Sequence, residues 1–454
     1  MSDVAADTAV LKALRRVRTP APRRNRELFL LLFAMVLSSG AMVLVQFGAL
    51  GHTSTPELVL SGLLSLLALV LHVVLRLRAP NADPLVLPIA FLLTGLGIAE
   101  IYRIDLHYGT AAGTHQIAYT ALSMVVAGVI VWVLGNYRVL FRYTYVFGLT
   151  GIVLLLLPFV PFINGGGNAQ VWISIAGFNF QPGEIAKICL AIFFAGYLVR
   201  TRESLATTGK RFLGFTFPRA REFGPILVIW LVSLVIIVLQ RDLGTGLLVF
   251  GMFVATLYVA TGKTGWMLIG VLLAVGGAIA ASFVLSYVHG RFQAWLNPFD
   301  PANYDAIGGS YQLVQGLFGL AHGGLFGTGL GQGRPYLTPV AESDYIIPSL
   351  GEEIGLVGLF AILCLYLVFV GRGLRIGVAG QDDFSKLLTT ALSFTLALQV
   401  FIMVGGVTRL LPLTGLTTPF LAAGGSSLLA NWIIVALILR ISDAVRQQPR
   451  AVIG

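Results

Sequence analysis

Apolar residues in this chain come in long runs of about 20, the length that an α-helix needs to cross the hydrocarbon layer of a membrane. Polar segments rich in glycine, proline or arginine separate the runs. Twelve runs are present: 28–50, 57–77, 84–102, 115–135, 143–162, 184–200, 223–240, 244–261, 264–288, 353–371, 384–406 and 425–441. The pattern predicts an all-α polytopic membrane protein with about twelve transmembrane helices.

One stretch, residues 291–353, breaks this pattern. It holds five prolines, many glycines and the acids Asp300, Asp305, Glu342 and Asp344. A connection longer than about 15 residues between packed elements is usually functional or disordered. This stretch has too many aromatic and apolar residues for a disordered linker, so it is the first candidate for an active site.

Composition agrees with a membrane protein and excludes several classes of function. The chain is 57% hydrophobic and 11% charged, with a mean hydropathy of +0.87, whereas soluble domains carry about 25% charged residues. Cys189 and Cys364 both lie in apolar runs, which predicts buried thiols rather than a disulfide. No CxxC or HExxH pattern occurs and the six histidines are scattered, so no zinc site is predicted.

The net charge of +10 reflects topology rather than nucleic-acid binding. With the N-terminus inside, 24 of the 30 Lys and Arg residues fall on the inner side, as the positive-inside rule requires. We therefore expect basic cytoplasmic tails at 1–27 and 443–454, and an extracytoplasmic loop at 289–352. No A-x-A-like site follows the basic start, so no cleaved signal peptide is expected.

Two opposite charges lie inside a predicted span. Glu184 and Lys187 are three residues apart and share one face of a helix, where they can pair. A charge at membrane depth is costly and usually faces the protein interior. Two interpretations stay open: an ion pair that fixes helix packing, or a lysine that meets an anionic lipid head group.

Other charged positions fall at the predicted outer ends of spans. Asp242 could cap the following helix together with Thr245, or belong to a site. Arg103 and Asp105 are expected to form a simple interfacial pair. Arg409 begins a stretch, 408–427, that is broken by Pro and Gly; irregular backbone at that depth is tolerated where it packs against protein or lines a cavity.

Six motifs, in order along the chain, identify a resemblance to the SEDS family (shape, elongation, division and sporulation), which includes RodA and FtsW. They are QPGEIAK at 181–187, QRDLGT at 240–245, WLNPFDP at 295–301 with GGSYQ at 308–312, GGLFGTGLGQG at 323–333, ESDYIIPSLGEE at 342–353 and LPLTGLTTPFLAAGGSSLL at 411–429. Together they cover about residues 84–440. Within the motifs Arg241 stands where the family has proline, and Glu342 with Ser343 stands where it has His-Thr.

The resemblance implies a peptidoglycan glycosyltransferase that polymerises lipid II on the outer side of the plasma membrane, beside a class B penicillin-binding protein that crosslinks the product. Family members typically have ten spans. Residues 28–83 would then be two additional N-terminal helices before a core at 84–442. The motifs are closer to the RodA type, which acts in elongation and cell shape, than to the FtsW type of cell division.

Glycan polymerisation needs a base near the acceptor hydroxyl and positive charge near the departing pyrophosphate. Asp344 matches the aspartate of the family loop and is the predicted general base. Glu342, two residues away, would share one side with it on an extended segment and raise its pKa by charge repulsion. Asp300 precedes a proline, so it is either a turn former or a contact to substrate or metal.

Lys187, Arg103, Arg334 and Arg409 are the candidates for the pyrophosphate, and Lys187 and Arg334 are favoured. The predicted substrate-binding set consists of the cations Lys187, Arg334 and Arg409 with the polar residues Glu184, Asp242, Asp300 and Glu342. A divalent cation, Mg²⁺ or Mn²⁺, is a further option with no ligand set assigned. A lipid II flippase or transporter and a non-enzymatic scaffold remain as alternatives, although transporters place such charges near midplane.

Overall fold

The computed structural model of the protein describes residues 24–162, 164–165, 170–175, 178–205, 211–212, 215–216, 224–306 and 308–447. The fold is almost entirely helical. The helices are α1 (Arg24–Leu50), α2 (Thr55–Arg78), α3 (Val86–Tyr108), α4 (Ala112–Val133), α5 (Val139–Arg142), α6 (Thr144–Leu156), α7 (Pro182–Leu205), α8 (Gly224–Gln240), α9 (Leu243–Thr261), α10 (Thr264–Val284), α11 (Ser286–Leu296), α12 (Pro301–Tyr304), α13 (Tyr311–Gly323), α14 (Ile346–Ala379), α15 (Asp383–Val407) and α16 (Gly425–Gln447).

Two small antiparallel hairpins complete the described elements. In the first, β1 (Ile173–Ile175) pairs with β2 (Phe178–Phe180); in the second, β3 (Arg211–Phe212) pairs with β4 (Phe215–Thr216). Neither hairpin is wide enough to form a sheet that could organise a core. The packing of the chain is therefore a matter of helix against helix.

A helix occupies each of the twelve predicted runs. Among the described residues, ten helices are long and apolar enough to cross a membrane: α1, α2, α3, α4, α7, α9, α10, α14, α15 and α16. The runs 143–162 and 223–240 form the shorter apolar helices α6 and α8. The protein is thus an all-α polytopic membrane protein. Of the predicted basic tails, residues 1–23 and 448–454 lie outside the described residues.

Helix α14 begins at Ile346, so the prediction that this span starts at 353 is wrong by two helical turns. A search for apolar runs stops at the charges of Glu352 and Glu353, yet both carboxylates are buried here against partners. Gly355 interrupts the helix with a φ of 69° and a ψ of −176°. The half-helix 346–354 therefore leads from the preceding loop to this break, and a long span follows it.

The segment before α14 is more regular than a loop. The predicted loop 289–352 contains most of α11, all of α12 and α13, a short 3-10 turn at Pro335–Leu337 and the start of α14. Helix α13 has a polar and an apolar face and packs on α14. We call the end of the bundle that carries residues 285–345 the loop end.

Burial separates the central helices from those at the periphery. Helix α16 is the most enclosed, with Trp432 and Ile438 inaccessible to solvent, and α3, α7, α9 and α15 are also mostly buried. Helices α1, α2 and α10 keep apolar side chains exposed along their outer faces, as helices that face lipid do. Cys364 is exposed on α14, which contradicts its predicted burial, whereas Cys189 is buried.

Arginines at the end opposite the loop end hold the bundle together, beyond the topological role predicted for them. Arg372 and Arg446 both pair with the buried carboxylate of Asp83. The guanidinium of Arg440 donates to the backbone carbonyl of Leu134, at the C-terminus of α4, at 2.6 Å. These contacts fasten the connection between α2 and α3 to α14 and α16.

Candidate active site

Asp344 lies in the turns that precede α14, at the loop end, with its side chain half-buried. The backbone of Gly415 passes beside it: a Cβ added at Gly415 would lie 3.8 Å from Oδ2 of Asp344. The same point would be 3.7 Å from a guanidinium nitrogen of Arg291. Two segments that are far apart in sequence, 342–345 and 411–416, thus meet at the middle of α11.

Arg291 is a residue of this site that the sequence analysis did not select as a candidate. It stands on α11 and donates from Nη1 to the carbonyl of Leu413 at 2.9 Å, which fixes the guanidinium beside Gly415. The only signal in the sequence was its position, four residues before Trp295 in the WLNPFDP motif. A lone arginine at the start of a loop gave no reason to prefer it over Arg334 or Arg409.

Burial raises the pKa of Asp344 from its ordinary 3.8 to about 6. The positive charge of Arg291 opposes this change, while the carboxylates of Asp242 and Glu342 add to it. A carboxyl with a pKa near the working pH is suited to accept a proton, since it is ionised and still basic. The charge of Glu342 thus raises the pKa of Asp344 as predicted, but by less than burial does.

The sequence predicts an extended segment around Glu342, but the structure has turns there. Residues 339–345 form consecutive turns, and the backbone carbonyl of Glu342 accepts a hydrogen bond from the N–H of Ala423 at 2.8 Å. This bond joins the loop that carries Asp344 to the stretch 408–427. The irregular stretch 408–427 therefore packs against protein at this point.

Asp242 caps helix α9, as predicted. Its Oδ1 accepts from the backbone N–H of Thr245 at 2.9 Å and its Oδ2 from the Thr245 hydroxyl at 2.6 Å. Burial raises the pKa of Asp242, while the hydrogen bonds from Thr245 and the charge of Arg291 lower it. The charge of Arg291 thus acts on both Asp242 and Asp344, and we call Asp242, Arg291, Asp344 and Gly415 the Asp344 cluster.

Lys187 and Glu184 form a buried ion pair on α7. The Nζ of Lys187 donates to Glu184 at 2.5 Å and to Oε1 of Gln399 on α15 at 3.0 Å. Gln399 in turn donates to the carbonyl of Thr417 at 2.7 Å. This geometry agrees with an ion pair that fixes helix packing, because it links α7, α15 and the stretch 408–427. Contact of Lys187 with a head group stays a prediction.

Arg409 binds the C-terminal end of α11. Its Nε and Nη2 donate to the carbonyls of Trp295 and Leu296, both at 2.9 Å, and its own carbonyl accepts from the indole of Trp295 at 3.0 Å. A cation at the last carbonyls of a helix is favoured by the helix dipole. Arg409 thus secures the helix that carries Arg291, and a contact of Arg409 with substrate stays a prediction.

Asp300 and Arg334 make their described contacts within the loop end, away from the Asp344 cluster. The exposed Asp300 caps the short helix α12 by accepting from the N–H of Ala302 at 3.0 Å, which is the turn-forming role. Arg334 has an exposed side chain, and its backbone N–H donates to Oε1 of Glu352 at 3.0 Å. Substrate contacts for both stay predictions.

Arg103 does not pair with Asp105, which corrects the predicted interfacial pair. Its guanidinium reaches across to α14, where Nε lies 3.2 Å from Oε1 of Glu353, and Nη2 donates to the carbonyl of Gly333 at 2.7 Å. Asp105 instead accepts from the backbone N–H of Gly113 at 2.5 Å, at the start of α4. Arg103 and Asp105 are close neighbours on α3, yet each bonds to a residue from another part of the fold.

A second group of acids lies beside Arg103. Glu353 also accepts from the N–H of Gly331 at 2.8 Å, and Glu352 lies 2.9 Å from Nδ1 of His322. Glu100 on α3 is almost fully buried and faces Glu353; neither of its carboxylate oxygens has a hydrogen-bond donor in the described part of the chain. This group holds the glycine-rich segment against the break in α14.

An apolar cavity of about 550 Å³ opens next to the Asp344 cluster. Three of its lining residues directly adjoin members of the cluster: Leu243 follows Asp242, Phe292 follows Arg291 and Thr414 precedes Gly415. Helices α8, α9 and α10 supply most of the remaining wall, including Trp230, Phe250 and Ala278. The cavity has the size and the apolar lining to take a hydrocarbon chain whose polar end lies at Asp344.

A divalent cation near Asp344 stays a prediction. Among the residues that the structure describes, no group of three or more His, Cys, Asp or Glu side chains is placed to bind a metal ion. The charge of Arg291 lowers the pKa of both carboxylates of the Asp344 cluster. The optional Mg²⁺ or Mn²⁺ therefore enters no step derived below.

Comparison with known proteins agrees with the motifs. Residues 83–447 match the family model FtsW/RodA/SpoVE, described as cell cycle protein. The chain is 43% identical over 454 residues to peptidoglycan glycosyltransferase RodA of Mycobacterium tuberculosis, covering 98% of this chain and 96% of the relative. It is 32% identical over 379 residues to the probable peptidoglycan glycosyltransferase FtsW of a Geobacter species, covering 81% and 99%.

A solved structure supports the fold. A chain in a structure described as structural coordination of polymerization and crosslinking by a peptidoglycan synthase complex superposes with a TM-score of 0.62 at 21% identity, covering 81% of this chain and 99% of that one. The similarity at this identity concerns the arrangement of helices. With the family match over most of its length, the chain belongs to the FtsW/RodA/SpoVE family.

Proposed function

We propose that this protein polymerises lipid II into glycan strands, with Asp344 as the general base. The broader assignment, a peptidoglycan glycosyltransferase of the RodA type, follows from relatives of that name that align with nearly the whole chain. The observation that carries the finer proposal is the placement of Asp344. A carboxyl with a raised pKa stands beside an arginine, where a polar cluster meets an apolar cavity.

The chemistry requires one displacement with inversion. The donor sugar is joined through an α-linkage to a lipid pyrophosphate, and the product is β-1,4-linked. Asp344 takes the proton of the acceptor 4-hydroxyl, and the oxygen of that hydroxyl attacks the anomeric carbon of the donor. The bond from that carbon to the pyrophosphate breaks, and the pyrophosphate leaves on its lipid. Such a base contributes about 10²–10⁴-fold in rate.

Arg291 supplies the positive charge nearest to the base. Held by the carbonyl of Leu413, its guanidinium lies beside Gly415 and keeps a share of Asp344 ionised at neutral pH. Its remaining donors can meet a pyrophosphate oxygen as negative charge develops there. The hydrocarbon chain of the lipid would run into the cavity that begins at Leu243, Phe292 and Thr414.

We place this reaction on the extracytoplasmic side of the plasma membrane. The support is the distribution of positive charge, since most Lys and Arg residues in the described part of the chain fall at the end opposite the loop end. A lipid-linked donor that is exported before polymerisation would meet Asp344 there. A transpeptidase of the class B penicillin-binding type is the proposed partner; a structure of similar fold comes from a complex that coordinates polymerization and crosslinking.

The test is polymerisation of purified lipid II by the purified protein, alone and with its transpeptidase. Glycan strands should form with the wild type, and Asp344→Ala and Asp344→Asn should abolish them. Asp305→Asn is the matched control, because Asp305 is an exposed aspartate of the same segment outside the Asp344 cluster. Strand formation by Asp344→Asn would remove the base assignment, and scrambling of lipid II between leaflets without polymerisation would favour the flippase alternative.

A further inference from the structure

Helices α1 and α2 precede the residues that the family model matches, which begin at 83. Helix α1 packs along α3, and α2 packs along α4. At the end opposite the loop end, α1 is joined to α2, because the buried carboxylate of Glu27 lies 2.7 Å from Nδ1 of His72. The other end of α1 reaches the loop end, where it meets a part of the family core.

The contact at the loop end is backbone against backbone. A Cβ added at Gly48 of α1 would lie 2.2 Å from the carbonyl oxygen of Leu330 and 3.0 Å from Cα of Gly331. A Cβ added at Gly331 would lie 2.6 Å from the carbonyl oxygen of Val45. Neither position can take a side chain without movement, because each of these three atoms belongs to the main chain. Gln332 adds a hydrogen bond from its amide to the carbonyl of Gly48 at 3.0 Å.

The segment that α1 contacts is also bonded to the break in α14. The N–H groups of Thr328 and Gly329 donate to the carbonyls of Glu352 and Glu353, at 3.0 and 2.9 Å. The carboxylate of Glu353 accepts from Gly331 at 2.8 Å. Residues 327–334, which we call the glycine segment, are therefore held between α1 on one side and the half-helix 346–354 on the other.

The half-helix 346–354 connects this contact to the base. Asp344 stands two residues before Ile346, and Gly355 ends the half-helix in a conformation that brings its backbone against Gly327 and Phe326. A helix of this length is stiff, so a displacement of the glycine segment at Glu352 and Glu353 changes the position of the turn at Asp344. A misplacement of about 1 Å can reduce a rate by 10²-fold.

We infer that α1 is a positioning helix for the polymerase site, and that Gly48 and Gly331 are positioning residues that set the glycine segment and, through the half-helix, Asp344. This inference rests on the proposed function. Helix α1 lies outside the family match, so the device is an addition to the core that the FtsW-like relatives share. It also gives the N-terminal part of the chain a physical connection to the reaction.

The test compares Gly48→Leu with Gly40→Leu in the full-length protein. Gly40 stands on the same helix, and a Cβ added there would meet nothing within 4 Å, so it controls for a larger side chain on α1. Gly48→Leu should lower kcat for lipid II polymerisation by roughly 10- to 100-fold. It should also speed amide hydrogen exchange in residues 327–334, while Tm stays near that of Gly40→Leu.

A second variant tests the same contact without adding a larger side chain, so that misfolding does not obscure the result. Gln332→Ala removes the hydrogen bond to Gly48 and leaves both glycines, so a smaller fall in kcat, with faster exchange in the same segment, is expected. Equal kcat in Gly48→Leu, Gln332→Ala and Gly40→Leu would overturn the inference while the wild type still polymerises. Absence of polymerisation by the wild type would overturn the proposed function instead, and exchange in the glycine segment would still decide whether α1 holds it.

Discussion

The guanidinium of Arg291 and the carboxylate of Asp344 both lie within 4 Å of the place where a Cβ would stand on Gly415. The two charged residues come from segments 53 positions apart, and the glycine comes from a third segment beyond α15. A side chain at residue 415 would occupy the space between the proposed base and its neighbouring cation. The absence of one is thus part of the site.

The first prediction concerns Gly415→Ala. Gly415 has a φ of 78°, so alanine costs roughly 1–2 kcal/mol in backbone strain and also places a methyl group between Arg291 and Asp344. We expect polymerisation of lipid II to fall at least about 10-fold. Gly308→Ala is the control: its φ is 72°, its Cβ would meet nothing within 4 Å, and it should show the loss of Tm without the loss of activity. Equal activities of Gly415→Ala and Gly308→Ala would show that Gly415 is not part of the site.

The second prediction concerns pH. Because the pKa of Asp344 is raised to about 6 and the base acts in its ionised form, kcat/KM should fall about 10-fold per unit as pH decreases below 6. Arg291 lowers this pKa, so Arg291→Gln should move the acidic limb of the profile to higher pH. Arg291→Lys keeps the charge and should move it less. A limb that stays in place in Arg291→Gln would contradict the electrostatic role of Arg291.

The third prediction separates the two interpretations of Lys187. Lys187→Met leaves Glu184 buried without its cation, which costs about 3–5 kcal/mol and should lower Tm. The double variant Lys187→Met with Glu184→Leu removes both charges and should recover most of that stability. If polymerisation recovers as well, the pair serves packing between α7 and α15. Recovered Tm with kcat still reduced would assign the lysine to the substrate.

The fourth prediction concerns Glu100 and Glu353. Glu100 is buried with no donor to its carboxylate in the described residues, and it faces Glu353. Glu100→Gln introduces an amide that can donate to Glu353, so Tm and polymerisation should be maintained or improved. Glu353→Gln weakens the contacts to Arg103 and Gly331 and should lower both. Equal effects of the two substitutions, measured by Tm and by strand formation, would contradict this asymmetry.

The membrane fold could be read from the sequence because its physical cause is local. A run of 20 apolar residues must be helical in a hydrocarbon layer, where each backbone polar group needs a partner within its own segment. Ten of the twelve runs became long helices, and 143–162 and 223–240 became shorter ones. The start of α14 was misplaced since the pattern cannot tell a paired, buried glutamate from an exposed one.

Residue types and their spacing within single segments were enough to predict the helical membrane fold and to offer Asp242 as a helix cap, and six motifs in order were enough to predict the family. The choice of Asp344 came with that family resemblance and stays a prediction. The partners of the charges, by contrast, followed from tertiary structure. It put Arg291 rather than Arg334 or Arg409 beside Asp344, joined Arg103 to Glu353 instead of Asp105, and brought Gly48 of α1 against Gly331. Contacts across tens to hundreds of positions depend on how the helices pack, and helix packing is set by the whole set of facing surfaces rather than by any one stretch.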